Sequence, residues 1–245
     1  MILDIIKKFI VVLCLLSALF LTAAVSAAPG LEEQLALIAD NTALWRQDVD
    51  YGLWGYATAD LDQDGCLEIL SASLQGTGLY TYLNVFSVSA DGTALNEVKQ
   101  DRPEYESAPD IMQDSAPAFY DPEAKTYYYV FSDFIRNGFA ENFENKRGIW
   151  LEEGTWKEVL LAGRDTKCTD IESCTDTYTD PDGKEISADQ FAAAEDVRFD
   201  GLSRGMLTLS WNMTDKESFD AITREALLAN LANTGSVSLT PASGQ

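Results

Sequence analysis

The sequence predicts an α+β protein built around an antiparallel β-meander in two four-stranded units, with one helix before it and helices after it. Three observations predict this. Apolar residues recur at helical spacing only in the stretch after residue 28 and near the far end of the chain. Between those stretches, apolar and polar residues alternate over runs of strand length. Asp-Gly, Glu-Gly and related turn pairs separate the runs.

The elements follow in order. Leu31, Leu35, Ile38 and Trp45 share one face of a helix over residues 31–47. Trp54–Ala59 and Leu67–Ser73 alternate with period two, which predicts a β-hairpin over residues 54–73. An alternating run from Leu79 to Ser89 comes next. A turn at Asp91-Gly92 leads to a short strand through Leu95 and Val98. A similar series then begins. Ala118–Asp121 and Thr126–Phe131 form one strand pair, and Gly148–Leu151 and Trp156–Leu161 another around Glu153-Gly154. Asp60 to Asp121 is an offset of 61 residues, and Gly92 to Gly154 an offset of 62. The two series therefore read as divergent copies of one meander, although any two hairpin pairs share such features.

Residues 163–187 are acidic, polar and turn-rich, and Asp182-Gly183 marks a hairpin turn there, with spacing unsuited to a metal. Ser187 with Gln190 makes a capping box for a helix over residues 188–197. A strand from Met206 to Trp211 follows. Thr214 with Glu217 makes a second capping box for a helix reaching Asn233, with Phe219, Ile222, Ala226 and Leu227 inward and Gly235 as its stop. Asn212-Met213-Thr214 fits a glycosylation sequon, but a helix cap explains it better. Residues 28–235 thus form a single domain, and the small polar residues 236–245 a disordered tail.

The first 27 residues read as a cleavable export signal. Lys7 and Lys8 precede an unbroken apolar run from Phe9 to Val25, and small residues follow at Ser26-Ala27-Ala28. Cleavage is expected near Ala27, which makes the protein secreted or periplasmic. The run is at the short edge for a span of about 20 residues. Cys14 lies within it without the small preceding residue of a lipidation site. No stable membrane anchor is expected.

Removing Lys7, Lys8 and Asp4 leaves 15 basic and 39 acidic residues. So acidic a surface attracts cations and repels nucleic acid, which excludes a nucleic-acid partner. The chain has no histidine. That excludes Ser-His-Asp and Cys-His nucleophilic machinery and histidine-ligated metals. In an oxidising compartment, Cys168 and Cys174 are close enough to bridge a short loop. Cys66 is then left as a small buried apolar residue.

The segment richest in chemistry is Asp60-Leu61-Asp62-Gln63-Asp64-Gly65-Cys66-Leu67-Glu68. A hard divalent cation such as Ca2+ takes six to eight oxygens at roughly 2.3–2.6 Å. Asp60, Asp62 and Asp64 surround one point as the chain curls, and Gly65 permits the sharp turn. The carbonyl of Cys66 is the natural backbone ligand, and Glu68 closes the site directly or through water. An EF-hand needs an acid at the twelfth position, which is Ser71, and helices on both sides. The flanks here are strand-like, so a calcium-binding β-hairpin fits better.

The run from Tyr56 to Leu70 resembles the D-x-D-x-D-G-x-x-[DE] calcium loop of FG-GAP/VCBS-type repeats in exported bacterial proteins. The resemblance covers only about 15–20 residues, with [DE] supplied by Glu68. It implies ligation by Asp60, Asp62, Asp64, the Cys66 carbonyl and Glu68, and it makes the two meanders propeller-blade-like. The Phe-Gly and Gly-Ala-Pro signatures of full integrin-type repeats are absent.

Tyr80, Tyr82, Tyr127, Tyr128, Tyr129, Trp150 and Trp156 fall on predicted strands. Core packing accounts for them, with a sugar-stacking platform as the alternative. The functional expectation is a secreted, calcium-binding, non-catalytic binding or adhesion module for a protein or glycan ligand. The alternative is a secreted glycoside hydrolase-like enzyme using paired carboxylates.

Overall fold

The computed structural model describes residues 28–49, 52–102, 107–138, 140–170 and 173–240. The export signal predicted for residues 1–27 lies outside them. Alternation is the dominant sequence pattern, and antiparallel strands dominate the fold.

Strands β1 (Trp54–Ala59), β2 (Glu68–Gln75), β3 (Tyr80–Val88) and β4 (Leu95–Glu97) pair consecutively and antiparallel. β5 (Lys99–Gln100) leaves this sheet to pair in parallel with a strand of the other. β6 (Ser115–Asp121), β7 (Thr126–Asn137), β8 (Glu141–Glu152) and β9 (Thr155–Asp170) form a second antiparallel series. β10 (Ser173–Thr179) and β11 (Glu185–Ile186) extend that sheet beyond β9. β12 (Ser203–Thr208) pairs with β6, β13 (Asn212–Thr214) with the free edge of β1, and β14 (Ser236–Leu239) with β12. Neither sheet closes into a barrel.

Among the described residues, six short helices cover the sheets: α1 (Leu31–Asp40), α2 (Thr42–Trp45), α3 (Ala188–Ala192), α4 (Ala194–Arg198), α5 (Lys216–Asp220) and α6 (Arg224–Leu231). The order of layers is helix, sheet, sheet, helix, as three apolar clusters show. Period-two alternation on β3 sends Leu83 and Val85 toward the second sheet, and Phe86 and Val88 toward α1, α5 and α6. On β7 it sends Tyr129 and Phe131 into the same inter-sheet core, and Val130 outward to Phe199 beside α4. Trp45, Trp54 and Phe219 fill the first helical interface, with ring centroids 4.8–6.2 Å apart. Burying aromatic rings this large contributes much of the stability of such an interface.

The structure corrects several sequence expectations. The helix expected over residues 31–47 breaks at Asn41, whose side-chain amide donates to the Leu37 carbonyl at 2.8 Å. An asparagine that takes a backbone acceptor in this way competes with the helical ladder. The helix expected over residues 188–197 is two helices meeting at Ala193. The helix expected from Thr214 to Asn233 is also two. Asp215, not Thr214, caps α5 by accepting from the Ser218 N–H at 2.7 Å. Thr223 caps α6 by accepting from the Ala226 N–H at 3.2 Å. The sequon residues Asn212-Met213-Thr214 are strand β13 and not a cap.

Residues 163–170 and 173–179 are strand and not a run of turns, and their exposed alternation holds ladder hydrogen bonds without a core. The hairpin turn is at residues 180–183, where the Asp180 carboxylate accepts from the Asp182 and Lys184 N–H groups. Ser236–Leu239 is strand β14 and not disordered tail. Gly205 makes this pairing possible, because any side chain there would collide with the Ser238 backbone. Cys168 and Cys174 lie directly opposite each other on β9 and β10 and form a disulfide.

Candidate metal centre

The loop between β1 and β2 carries the acidic segment. Its curl is set by Gln63 and Gly65, with φ of +60° and +90°. Gly65 is required for space as well, since a Cβ there would sit 2.8 Å from that of Ala28. The loop's own carboxylates collect its backbone donors. Asp60 accepts from the N–H groups of Asp64 at 3.1 Å and Gly65 at 3.0 Å, and its carbonyl accepts from the Gln63 amide.

Asp60, Asp62 and Glu68 each bring one carboxylate oxygen within 4.8 Å of the others. Two ligands facing each other across a calcium ion lie about 4.6–5.2 Å apart, twice the usual bond length, so these three oxygens are close enough together to reach a common cation. Asp64 is not in this group; it accepts from the Cys66 N–H at 2.7 Å. The Cys66 side chain is buried on the helical side of the sheet, leaving only its carbonyl to serve a cation. Burial, with the charge of Asp64 next, pushes its thiol up to about 11.

Glu68 is 1% exposed. One of its oxygens accepts from the Leu61 N–H and the other from the Ser87 hydroxyl, both at 2.8 Å. Burial raises its carboxyl well above the ordinary range, and the charge of Asp62 adds to this. Asp62 is pushed up to about 6, by burial first and then by Asp64 and Asp60. Asp60 is raised too, chiefly by burial. No lysine or arginine among the described residues relieves any of the three. Converging carboxylates without a positive neighbour are the arrangement that a bound cation stabilises.

Three residues outside the motif support the loop. Gln34 on α1 is buried, donating to the carbonyls of Pro29 at 2.8 Å and Gly65 at 2.9 Å and accepting from the Leu67 N–H at 2.6 Å. Tyr129 of the second sheet donates its hydroxyl to the Leu61 carbonyl. Ser87 on β3 holds Glu68. Sequence reasoning missed all three, yet Gln34 left a signal. It is a polar residue on the apolar stripe formed with Leu31, Leu35 and Ile38.

Fold and loop together define an open, two-sheet antiparallel α+β protein with a carboxylate-lined hairpin. No protein-family model, curated protein or solved structure matches the chain. The disulfide accords with an extracytoplasmic location, where such bonds persist. Among the described residues, no helix is long and apolar enough to cross a membrane.

Proposed function

We propose that this is a secreted calcium-binding protein, a non-catalytic binding module of the adhesion type, whose loop is kin to the FG-GAP/VCBS calcium hairpin. The observation that carries the reading is the convergence of Asp60, Asp62 and Glu68 on one point. Asp64, once turned from the Cys66 N–H, and the Cys66 carbonyl complete the ligand set. In this reading, β1–β4 and β6–β9 are two blade-like units of common origin, of which only the first keeps the acidic loop. The disulfide and the expected export signal support a calcium-rich setting outside the cytoplasm. The missing histidine supports a binding role over nucleophilic catalysis.

Calorimetric titration of EDTA-treated protein with CaCl2 tests this. Saturable binding of one ion, lost in Asp62→Ala, is the expected result. Equal heats from the two proteins, or none from either, would remove the metal site from the account.

A further inference from the structure

The strand face that carries Tyr80 and Tyr82 is only partly covered by helices. These residues share the parity of Phe86 and Val88, which pack under the helical layer. Toward the start of β3 the cover ends, and Tyr80 and Tyr82 are 42% and 53% exposed. The two rings stand two residues apart on one face, roughly 7 Å along the strand.

Tyr80 is seated and not merely exposed. A Cβ on Gly78 would lie 2.6–2.8 Å from its ring, so the glycine leaves the space in which that ring lies against the turn. Leu79 holds φ of +59° immediately before it. Beside the rings, on β2, Ser73 stands opposite Tyr82 and Gln75 opposite Tyr80. Gln75 donates to the Ser73 hydroxyl at 2.8 Å, and Gln47 donates to the Ser71 carbonyl at 2.8 Å. Ser71 and Ser73 are themselves buried, and through them the Gln75 and Gln47 amides are held in place on the side of the two rings.

Charge argues for the occupant. The positions of β2 and β3 on this face, from Ile69 to Gln75 and from Tyr80 to Val88, include no charged side chain, and the charged residue that β4 adds to the face, Glu97, stands opposite Phe86 at the far end from Tyr80. The whole chain carries a net charge of −23. An uncharged strip on so acidic a protein complements an uncharged, hydroxyl-rich ligand and offers nothing to an ionic one. The C–H face of a pyranose ring carries slight positive character and stacks on the negative face of a tyrosine. Its hydroxyls need amide partners of the kind that Gln75 and Asn84 present. We infer that Tyr80 and Tyr82 form a binding platform for two adjacent sugars of a neutral polysaccharide. The platform stands at the opposite end of β2 from Glu68, about 20 Å away along the strand, so it does not depend on the metal site.

Native gels cast with hydroxyethylcellulose, xylan, galactomannan or polygalacturonate test this on the full exported chain, in calcium and in EDTA. Retardation by at least one of the three neutral polymers, and not by polygalacturonate, is expected in both buffers. Tyr80→Ala with Tyr82→Ala should weaken it by about tenfold or more. Tyr80→Phe with Tyr82→Phe should keep most of it, because the rings remain. Near-UV circular dichroism of each variant checks that the fold is intact. No retardation by any neutral polymer overturns the inference, as does equal retardation of the folded double alanine variant or of polygalacturonate. Binding in EDTA with failed calcium titration would retain the platform while discarding the metal reading.

Discussion

Glu158 and Glu68 are both buried carboxylates on strands, and their surroundings could hardly differ more. The Glu158 side chain is 3% exposed, yet it meets Arg102 at 2.8 Å and Arg147 at 3.4 Å and accepts from the Trp156 indole at 2.9 Å. Its charge is answered within the protein. Glu68 has a backbone N–H and a serine hydroxyl for partners, with Asp62 and Asp60 as its charged neighbours. Burying a charge is unfavourable unless an opposite charge or enough donors surround it. The first site is therefore complete as it stands, and the second is the one whose burial a bound cation would offset.

This comparison can be broken or sharpened in order of expected effect. Glu158→Ala should be the most damaging change, because it takes a shared carboxylate from two arginine side chains that are only 11% and 15% exposed. The expected loss is about 3–5 kcal/mol by urea denaturation, unaffected by calcium. A loss below about 1 kcal/mol would show that the arginines do not depend on it.

Calcium should come next, acting only on the other site. At a hundredfold excess over Kd, stabilisation is about 2.7 kcal/mol. For a domain of this size that is roughly 5–10 °C in Tm. Asp62→Ala should abolish the shift, and an unchanged shift in that variant would place the ion elsewhere.

The hairpin tip at Cys168–Cys174 has neither a core nor a buried charge. Replacing both cysteines by serine removes a closed loop with a sequence separation of 6. The chain-entropy model gives about 2 kcal/mol at most for so short a loop. Hydrogen exchange should show fraying confined to residues 165–179, and loosening of β1 and β2 would contradict that.

The last effect is one of pH, and its sign follows from the loop. Asp62 titrates near 6 in the fold against an ordinary 3.8, and Glu68 lies above its ordinary 4.5. Between about pH 4 and 6 the native protein holds protons that the unfolded chain has released, so stability falls as pH rises through that window. Asp133, buried and also raised to about 6, adds to the same trend. In EDTA the melting temperature should therefore be higher at pH 5 than at pH 7. Glu68→Gln should flatten the profile while losing the calcium response. A melting temperature that climbs from pH 5 to 7 in EDTA would reverse the assignment of these shifts.

The loop, the strand alternation and the Cys168–Cys174 pair were legible in the sequence because each is local. Asp60 to Glu68 specify their turn through their own side chains, and Gly65 supplies the backbone angle. What was not legible depends on contacts distant in sequence. β14 needs Gly205, some thirty residues away, to admit its backbone. The strand at residues 163–170 reads as polar loop because its pairing partner, not a core, holds it extended. Glu68 was expected simply as a ligand, and nothing local told that it would be buried against Ser87. Of the seven aromatic residues singled out, Tyr129 and Trp156 are core, whereas Tyr80 and Tyr82 face solvent. That split required knowing where the helices end.

Gln34 grips the Pro29 carbonyl with the same amide that holds Gly65, and the Ala28 methyl group lies against the turn. The start of the described chain is thereby one wall of the acidic loop. The turn at Gly65 is thus held from outside the acidic segment, and a change at Gln34 or Ala28 reaches the loop without touching a carboxylate.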